Sequence, residues 1–260
     1  MLHAGIAVLA LVLAATAHAV DNPFPRAADA YVVKRDGRLI WASDADVRHA
    51  PASLTKMMTA LLVLERGHLD DAVVVSRAAS REKGSRIGLH AGDQVRRRDL
   101  LAAAIMHSAN DACHALADDV GPTFIARMNQ RAQALGMKNT QFMDPCGWDK
   151  PGHYSTAIDL ARLAEVVMQN TEYQHLARLR STEIRTVDGR RHFHVRNTNH
   201  LIGRYSGTLA GKTGTTGAAG YCLVALAERD GVRVTVVLLN SPRRWSFAPR
   251  LMDRAFALQM

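Results

Sequence analysis

The chain has 260 residues, 48% hydrophobic and 22% charged, enough for one domain with a packed core and far from disordered or fibrous compositions. Its formal charge of +9 suits an anionic partner. The basic residues are scattered, however, in short clusters such as Arg96-Arg97-Arg98 and Arg243-Arg244, and no aromatic-studded basic stripe marks a nucleic-acid reader.

Ile6 to Ala17 form an apolar run of h-region length, and Ala17-His18-Ala19 puts small residues around a cleavage point. Residues 1–19 therefore read as an export signal, although the n-region has His3 and no Lys or Arg. The run is shorter than the ~20 apolar residues a membrane span needs, and no later segment reaches that length, so no transmembrane segment is expected in the mature chain. The expected location is extracytoplasmic or periplasmic, soluble or loosely held at the envelope. Residues 20–260 read as one domain, with a helical subdomain over about 76–180.

Tyr31 to Val33 and Leu39 to Ala42 flank Asp36-Gly37, a hairpin signal. Leu54 to Leu64 is apolar almost all round and ends at Gly67, which predicts a helix buried on every side. Helical spacing returns at Arg97 to Met106, Ala109 to Val120, Thr123 to Leu135 and Thr156 to Met168, with Ser155 as the N-cap of the last. Strands follow at Glu183 to Val187, His192 to Val195, Thr208 to Lys212, Tyr221 to Glu228 and Val232 to Leu239, and a helix over Leu251 to Leu258 closes the chain. The simplest assembly is an α/β (α+β) fold, with the N-terminal hairpin beside the C-terminal strands in one antiparallel sheet of about five strands flanked by helices.

Three cysteines allow at most one bridge. Cys113 lies on the helical stripe Ala109, Ala112, Leu116, Ala117, Val120 and reads as a small buried hydrophobe; Cys222, in an apolar strand, reads the same way. Cys146, in the turn Asp144-Pro145-Cys146-Gly147, is expected to be a free thiol.

Candidate chemistry starts at Ser53-Leu54-Thr55-Lys56, because a serine and a lysine three apart on a helix share a face. Burial and the positive helix N-terminus lower the lysine's pKa, and a neutral Lys56 can take the Ser53 proton. Ser80-Arg81-Glu82-Lys83 has the same spacing but lies in a charged stretch ending at Gly84, a solvated face. Ser108-Ala109-Asn110, between two predicted helices, also reads as an N-cap, and Lys212-Thr213-Gly214 ends a predicted strand. S-x-x-K, S-x-N and K-T-G in that order form the pattern of the penicillin-binding and serine β-lactamase superfamily.

With Pro51-Ala52-Ser53-Leu54-Thr55-Lys56-Met57-Met58-Thr59, Leu135-Gly136-Met137-Lys138-Asn139-Thr140, Gly152-His153-Tyr154-Ser155-Thr156 and Ala219-Gly220-Tyr221, the chain resembles the low-molecular-mass D-alanyl-D-alanine carboxypeptidases of the serine S11 family. Arg196 to Leu201 and the short C-terminus are similar to its D,D-endopeptidase members. The resemblance implies a serine β-lactamase/transpeptidase-like fold, peptidoglycan stem peptides as substrate, β-lactams as covalent inhibitors and no cofactor or metal. It implies that Ser53 attacks the D-Ala carbonyl, Lys56 takes its proton and Ser108 relays a proton to the leaving amine. Asn110 would meet the substrate amide and steady Lys56, and Lys212 and Thr213 would bind the carboxylate, with Gly214 and Thr215 also in the substrate site. Backbone N–H groups of Ser53 and Thr215 would form the oxyanion hole. Many family members carry His or an aromatic residue where this chain has Thr215. An Arg near the final helix often meets the terminal carboxylate, for which Arg243, Arg244 and Arg250 are candidates.

A β-lactamase would need an E-x-x-L-N element between the second and third motifs, which is absent. A zinc peptidase is suggested only by His192-Phe193-His194, without an H-E-x-x-H ligand set. An inactive wall-binding homologue would not need all three motifs intact.

Overall fold

The computed structural model describes residues 22–259, so the segment read as an export signal lies outside the described residues. Asp36 and Gly37 take φ of 48° and 77°, the positive values a two-residue hairpin loop demands, and fold β1 (Ala30–Arg35) onto β2 (Arg38–Ser43). Far along the chain, β7 (Thr208–Thr216), β8 (Gly220–Arg229) and β9 (Val232–Leu239) form a meander. Strand β1 pairs along β9 from Ala30 opposite Leu239 to Arg35 opposite Val234, which completes an antiparallel sheet of order β2-β1-β9-β8-β7. The expected joining of chain start to chain end is thus observed.

Alternation along these strands sorts side chains between two layers. Tyr31, Val33, Leu223, Ala225, Val234 and Val236 pack under the C-terminal helix with its Phe247, Leu251 and Met252. Ala30, Val32, Val224, Leu226 and Val237 face the larger core, which holds the apolar sides of the other helices. Each fully buried branched or aromatic side chain contributes about 1.5–3 kcal/mol, so one slip of strand register would forfeit both cores at once.

The apolar run after Pro51 divides into a 3-10 turn, Ala52–Thr55, and helix α1, Lys56–Arg66, whose Met57, Met58, Ala60, Leu61, Val63 and Leu64 are all buried. Ser53 therefore stands on a tight turn before the α-helix proper. Next come two three-residue strands, β3 (Ala72–Val74) and β4 (Gln94–Arg96), too short to leave a periodic signal in the sequence. Helix α2 (Arg97–Ala102) continues into a π turn, Ala103–His107, and is followed by α3 (Asn110–Val120) and α4 (Phe124–Ala134).

Helix α5 (Ala157–Val167) is capped by Thr156, whose side chain accepts from Asp159 N–H; the cap is not Ser155 as the sequence suggested, since Ser155 is buried against Thr140. Helix α6 (Thr171–Arg178), with Asn170 as its cap, was not foreseen, and its hairpin neighbour β5 (Ser181–Arg185) and β6 (His192–Arg196) forms a separate two-stranded sheet. The closing helix α7 (Arg244–Phe256) starts seven residues earlier than the apolar pattern indicated. No helix among the described residues is long and apolar enough to cross a membrane.

Candidate active site

Three segments converge on Ser53. The 3-10 turn carrying it begins at Ala52, held at φ 48°, a left-handed conformation that costs a non-glycine residue about 1–3 kcal/mol unless its surroundings impose it. Those surroundings are visible on both sides. A Cβ on Gly147 would lie 1.9 Å from the Ala52 carbonyl oxygen, and one on Gly214 would lie 3.0 Å from Ala52 Cβ. Two glycines from distant parts of the chain thus allow a loop and strand β7 to close on the backbone at Ala52 and Ser53.

Lys56 is buried, and its Nζ lies 2.9 Å from Ser53 Oγ, 2.7 Å from Asn110 Oδ1 and 2.7 Å from the Cys146 carbonyl oxygen. An ammonium donates to all three. A neutral amine donates to Asn110 and Cys146 and turns its lone pair toward the Ser53 hydroxyl. Burial draws Lys56 from its ordinary 10.5 down to about 7, against the opposing pull of the Asp144 and Glu82 carboxylates.

Ser108 closes the other side of the cleft. It follows the π turn and sits at φ 62°, a local departure from regular helix of the kind that re-aims side chains at functional sites. Its hydroxyl accepts from Lys212 Nζ at 2.8 Å, so it is not the N-cap expected from the sequence; Ala109 occupies that position and makes no side-chain cap. Lys212, Thr213 and Gly214 lie inside β7, which runs on to Thr216, whereas the sequence placed them at a strand end. Lys212 Nζ also donates to Thr213 O, and burial, with the charges of Lys56 and Arg244 nearby, pushes its pKa well down. Thr213 Oγ1 is 2.7 Å from Thr198 Oγ1, and the Thr215 hydroxyl donates to Gly214 O.

Several site-forming residues escaped the sequence reading. Asp144 Oδ1 accepts from the N–H groups of Cys146, Gly147 and Trp148, folding residues 144–148 into the bend that aims the Cys146 carbonyl at Lys56. Burial raises the Asp144 pKa, but those N–H groups and Lys150 outweigh it and hold the carboxyl below its ordinary value. His153 accepts from Met143 N–H at Nδ1, which leaves its proton on Nε2 to reach Thr55 Oγ1 at 3.0 Å.

The Ser80 hydroxyl bonds to Arg77 O rather than to Lys83, yet this stretch borders the site through its backbone, because Asn110 Nδ2 donates to Lys83 O and Gly84 packs against Asn110. These contacts are main-chain or long-range, so no residue-type pattern announces them.

Cys146 is not a free thiol. It is bridged to Cys113, 33 residues away in sequence, and Cys222 is the free, buried cysteine. A bend presents a thiol to whatever packs against it, and here that neighbour is Cys113 on α3. His114, Asp144 and Cys146 also cluster within 4.8 Å, but the bridged sulfur is no thiolate and Asp144 is engaged by backbone and Lys150. His192 and His194 are exposed on one face of β6.

The cleft, of about 460 Å³, is lined by Ser53, Ser108, Asn110, Thr213 and Thr215, with Trp148 and Trp245 among its walls. Of the three candidate arginines only Arg244 lines it. Its Nη1 donates to Gly214 O and Cys222 O, both at 2.9 Å, and it lies against the Tyr221 and Trp245 rings. Arg243 stacks on Phe247 and Arg250 on Phe24 instead.

The family described as D-alanyl-D-alanine carboxypeptidase, peptidase S11, matches residues 16–243. A D-alanyl-D-alanine carboxypeptidase of Bacillus subtilis is 33% identical over 89% of this chain, which spans 62% of that relative's length. A D-alanyl-D-alanine endopeptidase of Pseudomonas aeruginosa is 34% identical over 79% of this chain and 68% of its own. The crystal structure of the Streptomyces K15 DD-transpeptidase superposes with a TM-score of 0.84 at 33% identity, covering 89% of this chain and 98% of that one.

Proposed function

The chain belongs to the D-alanyl-D-alanine carboxypeptidase family, and from that premise we propose that it is an exported serine D,D-peptidase acting on the D-Ala-containing ends of peptidoglycan stem peptides. The observation that carries this is the buried Lys56 amine, drawn to about 7 and set 2.9 Å from Ser53 Oγ.

Neutral Lys56 takes the Ser53 proton as Oγ attacks the D-Ala carbonyl carbon, giving a tetrahedral oxyanion between the backbone N–H groups of Ser53 and Thr215. Ser108 passes a proton to the departing amine and recovers one from Lys212, 2.8 Å from its hydroxyl, while the proton Lys56 took from Ser53 returns to Lys212 through the cleft, leaving Lys56 neutral again. Water then opens the ester on Ser53, with the Lys56 amine again as base. Asn110 holds Lys56 and receives the substrate amide. Lys212 is depressed by burial beside other cations; a substrate carboxylate arriving next to it and Thr213 restores its charge, which couples binding of the free C-terminus to protonation. Arg244, at the same end of the cleft, adds a second positive group.

These cations favour a free terminal carboxylate on the leaving side, the carboxypeptidase reaction. Cleavage of cross-links is the second reading, favoured by the likeness to the Pseudomonas endopeptidase. Purified protein incubated separately with pentapeptide and cross-linked muropeptides, followed by mass analysis, separates them. Release of D-Ala from pentapeptides supports the first, and cleavage of dimers alone supports the second. A fluorescent penicillin that labels wild type and Ser53→Ala equally would overturn both.

A further inference from the structure

Nothing in the three motifs calls for the Cys113–Cys146 bridge, yet it touches the catalytic centre from behind. Cys113 lies on α3, the helix whose first residue is Asn110, and both sulfurs are buried. Asn110 Oδ1 and the Cys146 carbonyl are the two acceptors, each at 2.7 Å, that fix the Lys56 amine apart from Ser53 itself. One covalent bond therefore ties together the two elements that supply them. The next residue, Gly147, is the one pressed against the Ala52 carbonyl, so the bridged bend also supports the strained start of the nucleophile turn.

We propose that the Cys113–Cys146 disulfide is a positioning element of the active site, holding the Cys146 carbonyl and Asn110 at a fixed separation around Lys56. The proposal rests on the reading of Lys56 as the base for Ser53. Without the bridge, the bend keeps the Asp144 bonds to the backbone of residues 146–148, the Thr59 hydroxyl on Pro145 O and the Trp148 indole on Glu82, but loses its covalent tie to α3. The amine then gains freedom to leave its line to Ser53 Oγ, and misplacement of a catalytic group by about 1 Å can cost roughly 100-fold in rate.

The groups around Lys56 decide what a loosened pocket would do to it. Ser53 faces it from its own turn, Asn110 from α3, Asp144 and the Cys146 carbonyl from the bend, Glu82 from the segment before Gly84, and Lys212 from β7. Burial is the dominant influence, and it favours the neutral amine. Admitting water weakens that influence while the two carboxylates remain, so the amine holds its proton to higher pH.

The test compares wild type with Cys113→Ala/Cys146→Ala, using the rate at which a fluorescent penicillin acylates Ser53 between about pH 5 and about pH 9. We expect acylation to slow about tenfold or more and its pH midpoint to move upward, while circular dichroism remains that of wild type. Unchanged rate and midpoint in the folded double variant would overturn the proposal. Should that variant not fold, Cys113→Val/Cys146→Ala, which restores apolar volume, is read the same way; collapse of both would overturn positioning in favour of a purely global role. Wild type exported to an oxidising compartment, denatured and alkylated without reductant, is expected to take up a single label, on Cys222; uptake on all three cysteines would also overturn it. Absence of Ser53 labelling in wild type would count against the peptidase reading instead.

Discussion

Lys212 Nζ donates to Ser108 Oγ at 2.8 Å, across a cleft and 104 positions along the chain. The bond joins the strand side of the site to the helical side, and it gives a buried lysine one of its two acceptors, the other being Thr213 O. Replacing Ser108 by Ala removes both the proposed relay and that acceptor. Acylation by a D-Ala-D-Ala peptide, measured as kcat/KM, is expected to fall by roughly 100-fold or more. A change under threefold would remove Ser108 from the proton path.

The pH profile follows from Lys56. Its folded pKa, about 7, lies below its ordinary 10.5, so between those values the unfolded chain binds the extra proton and the folded chain does not. Stability from this group is therefore lowest below pH 7 and rises as pH climbs toward 10.5. With Lys56 as the proposed base, activity has the same sign, since only a neutral amine can accept the Ser53 proton. Single-turnover acylation should rise about tenfold per pH unit on the acid side and level off above the Lys56 midpoint. A profile without that acid limb would contradict a lysine base.

Arg244 is the one candidate arginine in the cleft, held by Gly214 O and Cys222 O. Arg244→Leu should lower kcat/KM for a free-carboxylate peptide by about 10- to 100-fold, the scale of a lost charge-assisted pair. The same change at Arg243 or Arg250 should leave it within about twofold, because those guanidinium groups lie on Phe247 and Phe24. Steady-state kinetics on the three variants would expose a wrong assignment at once.

Gly147 has φ 96° and no room for a methyl group, with the Ala52 carbonyl oxygen 1.9 Å from where its Cβ would be. Backbone cannot yield as a flexible side chain can. Gly147→Ala should destabilise the fold by about 2 kcal/mol or more in chemical denaturation, and slow acylation even where the variant is folded. Wild-type stability would mean that the bend moves freely.

Ser53 and Lys56 hydrogen-bond to each other, to Asn110 and to the Cys146 carbonyl, with no carboxylate among these partners. A penicilloyl group on Ser53 is thus expected to persist for roughly minutes or longer, since the sequence lacks the E-x-x-L-N element whose carboxylate would activate water against it. Intact-protein mass spectrometry over time reads this directly, and rapid multiple turnover of penicillin would refute it.

What could be read ahead of the structure was local. The Asp36-Gly37 turn, the alternation in β8 and β9 and the apolar run after Ser53 each encode their element within a few residues. Elements carried by three residues, such as β3, or by one cap, such as Asn170 before α6, were not legible, because so few positions cannot establish a period. The Ser155 cap, the Ser108 cap and the free Cys146 were misjudged for a shared reason. Each residue type suits its expected role locally, and each was claimed by a distant neighbour, respectively Thr140, Lys212 and Cys113.

The sequence by itself determined the candidate pair Ser53 and Lys56 and the two supporting motifs, since spacing on one turn or one strand is enough to set which side chains travel together. Only the tertiary structure decided what surrounds them: the Cys146 carbonyl on Lys56, the glycine contacts at Ala52, the choice of Arg244 and the bridge behind the site. Those are contacts between segments far apart in the chain, often through main-chain atoms that every residue carries. Their positions follow from how the sheet and helices pack, which no local pattern of residue types records.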